Sequence, residues 1–128
     1  MKKLFFYTML PLIFLSYGCS NKMYDIAVKN TGKSELSNVK IEFRNYRHSF
    51  GYIGTKIEKT HILVGESYPL PNLAVISWTT PDGQNHKETV DVKSKVPSKY
   101  KDLTIYFNID SSNNVTVTCK EIPKDPTP

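Results

Sequence analysis

The stretch Leu103–Asp110, LTIYFNID, decides the fold class of this 128-residue chain. Its large apolar residues fall at every second position, namely Leu103, Ile105, Phe107 and Ile109. Because successive side chains of a β-strand point to opposite faces of the sheet, this period of two predicts a strand with one buried face. We expect Phe107 and Ile105 to point into a core.

The same alternation recurs along most of the chain and predicts further strands. One segment, Leu73–Thr80 (LAVISWTT), is apolar on both faces and therefore predicts a central strand. Phe43 is expected to point inward, whereas Lys40 is expected to point outward. Alternating runs occupy Tyr24–Asn30, Asn38–Tyr46, Glu88–Val92 and Val115–Cys119, and less regular strands are expected near Tyr52–Glu58 and His61–Leu63.

Turn-forming residues separate these runs at fairly regular intervals. Asn30–Lys33 contains residues that tolerate a positive φ angle, Thr80–Gly83 suits a type I turn, and Ser111–Asn114 separates the last two strands. No segment after residue 22 shows a 3.6-residue apolar stripe, although Pro97–Asp102 is expected to form one helical turn.

About seven short strands joined by such turns predict an all-β chain that forms a single antiparallel β-sandwich of immunoglobulin-like architecture. The sandwich is expected to occupy residues 23–122. Residues 123–128 contain three prolines and predict an extended, disordered tail.

The chain begins with Met1-Lys2-Lys3, and Leu4–Tyr17 follows without a charged residue. A basic start followed by a short apolar run is typical of a secretory signal peptide. A transmembrane helix needs about 20 apolar residues, whereas this run is shorter and contains Pro11. The pattern therefore favours a signal peptide over a membrane span.

The apolar run ends in Leu15-Ser16-Tyr17-Gly18-Cys19, which resembles the lipobox of bacterial lipoproteins. The resemblance implies a signal peptide at residues 1–18, cleavage before Cys19, diacylglycerol on the Cys19 thiol and a short spacer through residue 22. Ser16 stands where the family usually has leucine. The alternative is cleavage by the ordinary signal peptidase, which would leave Cys19 as an incidental thiol.

Ser20 stands where many inner-membrane lipoproteins have aspartate, and this resemblance implies the outer membrane, facing the periplasm. Cleavage would remove Lys2 and Lys3, which takes the formal net charge from +5 to +3. So small an excess, together with export, argues against a nucleic-acid partner. Two basic clusters, around Arg44 and across Lys93–Lys101, would attract anionic head groups or an acidic partner, or would form an ordinary solvated surface.

The sequence contains no motif for catalysis, phosphate binding or metal binding. His48, His61 and His86 fit no zinc-ligand spacing, so neither a metal nor a cofactor is expected. Cys119 is in phase with the inward residues of its strand and is expected to behave as a small apolar residue. These observations favour a protein without enzymatic activity.

The segment Ser77–His86, SWTTPDGQNH, places a tryptophan, an Asp-Gly turn and a histidine across one hairpin. The pattern resembles small uncharacterised lipoproteins, some of which are immunity proteins that neutralise toxins. Trp78 either packs in the core or belongs to a contact surface. Because aromatic residues and arginine often anchor interfaces, Trp78, Tyr106 and Arg44 are the candidate binding residues.

The sequence therefore predicts a membrane-anchored envelope lipoprotein that binds a protein, and neutralisation of a secreted toxin by an immunity protein is the most specific form of this prediction. Two alternatives remain at this point. One is a structural accessory subunit of an envelope assembly, and the other is a lipoprotein that binds a small ligand or glycan in an aromatic cleft.

Overall fold

The computed structural model describes residues 23–62 and 64–122. The predicted signal peptide, Cys19, the spacer and the Pro-rich tail lie outside the described residues. Among the described residues there is no helix with the length and apolar character needed to cross a membrane. The elements are β1 (Met23–Asn30), β2 (Leu36–Phe43), β3 (Tyr46–Ile53), β4 (Glu58–His61), α1 (Val64–Ser67), β5 (Leu73–Thr79), β6 (Asn85–Asp91), a 3-10 turn (Lys93–Lys95), β7 (Asp102–Ile109) and β8 (Val115–Glu121).

The eight strands form two four-stranded sheets, which confirms the predicted β-sandwich. The first sheet has the order β4-β1-β7-β8 and the second has the order β3-β2-β5-β6. Neighbouring strands are antiparallel except β1 and β7, which pair in parallel over their whole lengths. The predicted central strand, β5, lies between β2 and β6.

The core lies between the sheets and includes the alternating residues of β1, β2 and β7 that the sequence pattern predicts. Phe43, Ile105 and Phe107 are all buried, while Lys40 is exposed. The largest side chains that are almost completely buried include Trp78, Tyr24, Phe107, Ile26, Ile41, Ile53, Ile76, Leu103, Ile105 and Ile109. Cys119 is half-buried and packs against this core.

The predicted boundaries of β3 and β4 were wrong because a β-bulge changes the strand phase. Tyr46 and Phe50 face the core, and after Gly51 the next buried residue of β3 is Ile53. Gly51 has a φ angle of 69° and pairs with Val39, where the register of β2 and β3 shifts. A bulge puts two residues opposite one, so the period of two is lost at this point in the sequence.

The short helical elements also differ from the prediction. The 3-10 turn covers Lys93–Lys95, whereas residues 97–101 form no helical turn and Asp102 starts β7, so the predicted helical turn at Pro97–Asp102 was wrong. The carboxylate of Asp91 accepts a hydrogen bond from the Ser94 backbone N–H at 3.1 Å. This side chain favours a turn that starts directly after β6, before Pro97 is reached.

The strand directions give the sandwich two chemically different ends. We call the first the N-terminal end, since Met23 lies there, paired with Asp102. It comprises the β2–β3 turn at residues 44–45, residues 62 and 64–72, residues 92–101 and Ile122. The opposite end, which we call the loop end, comprises residues 31–35, 54–57, 80–84 and 110–114, together with Tyr52, whose hydroxyl bonds to Glu35.

Helix α1 packs closely against Tyr24 of β1 through Gly65. A Cβ atom added to Gly65 would lie 2.6 Å from Cδ1 and 2.8 Å from the backbone nitrogen of Tyr24. These distances are shorter than a carbon atom tolerates, so any larger residue would push α1 away from β1. The close approach also allows the Tyr24 hydroxyl to donate a hydrogen bond to the Tyr68 carbonyl at 2.8 Å.

Replacing Gly65 with alanine is therefore expected to lower the free energy of unfolding by about 1–3 kcal/mol, the usual cost of overpacking. Urea denaturation measures the change. Gly54→Ala is the matched control, because its added Cβ would lie 3.5 Å from the nearest atom, an ordinary contact distance. Equal unfolding midpoints for the two variants would contradict the close packing of α1 on β1.

Candidate binding surface

The three candidate binding residues lie in different parts of the molecule. Trp78 is in β5 and only 2% of it is exposed. Tyr106 is half-buried in β7, where it alternates with core residues and so lies on the outer face of the first sheet. Arg44 is exposed in the β2–β3 turn at the N-terminal end, with a φ angle of 50°. They do not form one continuous surface.

Trp78 is a core residue that also orients the loop end. Its indole ring stacks on His86 of the paired strand β6, with ring centroids 5.3 Å apart. Its Nε1–H donates to Oδ1 of Asn113 in the β7–β8 loop at 3.4 Å. The burial of Trp78 favours the first alternative, in which Trp78 packs in the core. Its hydrogen bond to Asn113 helps to position the β7–β8 loop.

Asn30 connects two further loops of the same end. Its side chain is 1% exposed, and its Nδ2 donates to the carbonyl oxygens of Ser34 at 2.8 Å, Gly54 at 3.2 Å and Ile53 at 3.3 Å. Its Oδ1 accepts from the Gly32 backbone N–H at 3.0 Å. One buried amide therefore fixes the β1–β2 and β3–β4 connections relative to each other.

Replacing Asn30 with alanine leaves those carbonyl groups without their buried donor. We expect a loss of about 1–3 kcal/mol in the free energy of unfolding, the usual penalty for unsatisfied buried polar groups. Asn108→Ala is the control, because the Asn108 amide donates to Thr116 and Thr118 in an exposed environment. Chemical denaturation that gives the same stability for both variants would contradict the role of Asn30.

The other two loops are held by aspartates. The Thr80 hydroxyl donates to the Asp82 carboxylate, which also accepts from the Gln84 backbone N–H at 3.3 Å. The hydrogen bonds that the Asp82 carboxylate accepts from the Thr80 hydroxyl and from the Gln84 backbone N–H lower the pKa of Asp82. In the β7–β8 loop, Asp110 accepts from the backbone N–H groups of Ser112 and Asn114, each at 2.9 Å.

The contacts of Thr80, Asp82 and His86 differ from those of a catalytic triad. The Thr80 oxygen lies 3.1 Å from Nε2 of His86, but Asp82 is bonded to the threonine and not to the imidazole. In a triad the carboxylate contacts the second ring nitrogen and orients the histidine as a base. Here the hydroxyl proton is directed to the carboxylate, and the network closes a turn.

A cleft with a volume of about 320 Å³ opens between these ordered loops. The loop end also carries two of the exposed large apolar side chains, Tyr52 (54% exposed) and Ile57 (51% exposed). The Tyr52 hydroxyl donates to the Glu35 carboxylate at 2.8 Å, and this hydrogen bond raises the pKa of Tyr52. The cleft is lined mainly by polar groups, among them Ser34, Thr80, Asp82, Asp110, Ser111 and Asn113.

The N-terminal end is aromatic. Burial raises the pKa values of Tyr24 and Tyr46 well above the usual range for tyrosine. The ring of Tyr46 stacks on Phe43, and the Tyr46 hydroxyl shares a hydrogen bond of 2.6 Å with Nδ1 of His61. Next to it, His48 and His61 stack with their ring centroids 3.8 Å apart.

The stacked imidazoles make stability depend on pH. Partial burial and the nearby His61 lower the pKa of His48 below its ordinary value of 6.5. The unfolded chain therefore binds a proton at a higher pH than the folded chain does, and stability falls as pH decreases from 6.5 to the lowered value. We expect His48→Gln to lose less thermal stability between pH 7.5 and pH 5.5 than the natural chain. Parallel melting curves with equal losses would contradict this role of His48.

A groove of about 600 Å³ lies beside these aromatic residues. It is lined by Tyr24, Gly65, Pro69, Leu70, Lys93, Val96, Pro97, Ser98 and Tyr100. Tyr100 is half-buried, and burial raises its pKa. The groove is therefore mostly apolar, with the Lys93 side chain as its positive charge.

The described part of the chain contains no group of three or more histidine, cysteine, aspartate or glutamate residues that could hold a metal ion. The imidazole of His48 stacks on that of His61, and the imidazole of His86 stacks on the indole of Trp78.

The ordered loops of the loop end were not predicted from the sequence, because Trp78, Tyr106 and Arg44 were considered one at a time. The signal that it could have used is the placement of Asn30, Asp82 and Asp110 directly at strand ends. Asparagine and aspartate side chains bond to nearby backbone groups and order turns. The sequence gives no signal of this kind for Tyr52, because the alternation of apolar and polar residues is irregular around it.

Comparison with known proteins supports the fold and gives no function. No family model matches the sequence, and a comparison with curated proteins gave no match. Among solved structures, the chain is similar to an NMR structure of a protein from Eubacterium rectale, with 17% identity and a TM-score of 0.51. The match covers 81% of this chain and 94% of that chain. At this identity the similarity concerns the sandwich fold alone.

Proposed function

We propose that this protein is a lipid-anchored envelope protein that binds another protein without catalysing a reaction. The anchor is the acylated Cys19 that the lipobox resemblance implies. The binding surface is the loop end, and toxin neutralisation is the most specific form of the proposal. The observation that carries it is the ordered set of loops at the end of the sandwich opposite Met23.

Three properties of the loop end support protein binding. Its loops are already fixed by Asn30, Asp82 and Asp110, so little conformational entropy would be lost on association. Its rim presents Tyr52, and tyrosine is common among the residues that contribute most to interface energy. It also points away from the end where an anchor on Cys19 would hold the chain, which leaves it accessible to a partner.

Photo-crosslinking in cells tests this assignment. A photoreactive amino acid replaces Tyr52 or Ile57 in the full-length protein. Tyr106 and Arg44 serve as comparison sites, and Lys87, which is exposed in β6, serves as the control. We expect one discrete adduct from Tyr52 and Ile57 and none from Lys87. Adducts from Tyr106 or Arg44 alone would contradict the loop-end assignment, and turnover of a lipid or glycan by the purified protein would contradict a purely binding function.

The identity of the crosslinked partner separates the specific forms of the proposal. An exported toxin whose activity is blocked on binding supports an immunity function. A component of a secretion system or pilus supports the alternative, an accessory subunit of an envelope assembly. Tyr52→Ala and Lys87→Ala form the matched pair, and only Tyr52→Ala is expected to weaken toxin neutralisation.

A further inference from the structure

The exposed large apolar side chains of the described residues are divided between the two ends of the sandwich. Tyr52 and Ile57 lie at the loop end, whereas the other three surround the N-terminal end. Ile62 (62% exposed) follows β4, Leu73 (57% exposed) starts β5, and Ile122 (40% exposed) follows β8. Each is aliphatic, and they lie at separate points of the rim.

Basic residues occupy the same end. Arg44 is exposed in the β2–β3 turn, and the exposed lysines after β6 lie in the 3-10 turn and in the segment that leads into β7. The Lys101 carbonyl accepts a hydrogen bond from the Met23 backbone N–H at 2.9 Å, which places this segment beside the start of β1. These lysines are Lys93, Lys95, Lys99 and Lys101.

Acidic residues at this end are fewer than the basic residues, and one of them already forms a hydrogen bond within the protein. Asp91 bonds to the Ser94 backbone, Asp102 is half-buried at the start of β7, Glu121 is exposed at the end of β8, and Glu66 belongs to α1. The loop end has the opposite balance, with Glu35, Asp82 and Asp110 against Lys33 and Lys56. The molecule is therefore more basic at the N-terminal end than at the loop end.

The position of the proposed anchor indicates that a lipid bilayer lies against this end. Between Cys19 and Met23 there are only three residues, so the four steps from one Cα atom to the other reach at most about 14 Å when fully extended. A chain held in a bilayer at Cys19 must therefore keep Met23, and the end of the sandwich around it, within that distance of the lipid surface. Lysines and exposed aliphatic side chains are the groups that bind an anionic bilayer surface.

We infer that the N-terminal end of the sandwich rests on the membrane, with Ile62, Leu73 and Ile122 at the lipid interface and the surrounding lysines on anionic head groups. This inference rests on the proposed anchor at Cys19. It gives the domain a fixed orientation, in which the loop end faces away from the bilayer. It also makes the mostly apolar groove beside Tyr100 part of the lipid-facing surface.

The test uses the mature acylated protein in nanodiscs, with Cys119→Ser to leave no other free thiol. A fluorophore is attached through Ile62→Cys or through the control Ile57→Cys, and lipids with a shallow spin label serve as the quencher. We expect several-fold stronger quenching at residue 62 than at residue 57. Trp78, the single tryptophan and a residue near the loop end, should keep its fluorescence.

A second pair of variants tests the role of charge. In nanodiscs with anionic lipid, replacing Lys93, Lys99 and Lys101 with glutamine is expected to reduce the quenching at residue 62, whereas Lys33→Gln with Lys56→Gln is not. Equal quenching at residues 62 and 57 in acylated protein overturns the orientation and leaves the proposed anchor intact. Protein that carries no acyl group overturns the anchor and this inference together.

Discussion

Replacing Trp78 with alanine is expected to lower the free energy of unfolding by about 3–5 kcal/mol, the usual cost of truncating a buried large aromatic residue. Trp78 is 2% exposed and is among the largest side chains in the core. Its loss also removes the stacking partner of His86 and the donor to Asn113. For a small domain with a total stability of about 5–15 kcal/mol, this change is severe.

Urea denaturation at neutral pH measures the effect, and Trp78→Phe is the matched control. Phenylalanine keeps an aromatic ring in the core and removes only the Nε1–H donor and part of the volume, so its cost should be clearly smaller. A loss below about 1 kcal/mol for Trp78→Ala would show that the indole is not a core residue. It would return Trp78 to the set of candidate contact residues.

Cys19→Ala is expected to abolish acylation of the chain altogether. Two acyl chains anchor a protein stably because each buried methylene contributes about 0.8 kcal/mol, so the variant loses the proposed lipid anchor. The variant should accumulate as an unlipidated precursor and lose the acyl mass. Metabolic labelling with a fatty acid, followed by detection of the protein, measures this loss directly.

Cys119→Ala is the control for that experiment, because Cys119 is half-buried and its thiol donates to the Lys95 carbonyl at 3.2 Å. It should retain the fatty-acid label. Retention of the label in Cys19→Ala would contradict the lipobox interpretation. Circular dichroism of both variants should show the same β-rich spectrum, since the fold does not depend on the lipid.

Strands such as β2 and β7 could be predicted from the sequence because one face of each is buried. In β7, each of the residues Leu103, Ile105, Phe107 and Ile109 is buried, as their alternation predicts. In β3, the positive φ angle of Gly51 and the register shift opposite Val39 change the phase, so no single alternation covers the strand. Local bulges are not visible in a pattern that assumes a constant period.

Features that depend on strand order could not be predicted. His48 and His61 stack although they lie in different sheets, and their contact follows from the way in which the edge strands β3 and β4 meet. The parallel pairing of β1 with β7 brings Met23 beside Lys101 and so gathers the lysines of a distant segment at the N-terminal end. Neither arrangement has a signature in the local sequence.

The candidate residues illustrate the same limit. Trp78 could be core or contact surface while only its strand was known, and its burial depends on the facing sheet. Tyr106 and Arg44 were chosen for their side-chain chemistry, but the fold places them on different faces. The loop end is a continuous ordered surface because Asn30, Trp78 and Asp110 fix neighbouring loops, and these contacts depend on the folded arrangement of the strands.

Mass spectrometry of the mature protein determines whether the sandwich is held at a membrane through an acylated Cys19. The protein is extracted from membranes with detergent and digested, and its N-terminal peptide is sequenced. We predict a peptide that begins at Cys19, with diacylglycerol on the thiol and an acyl chain on the amine. A mature N-terminus at another residue, or an unmodified Cys19, would contradict the account.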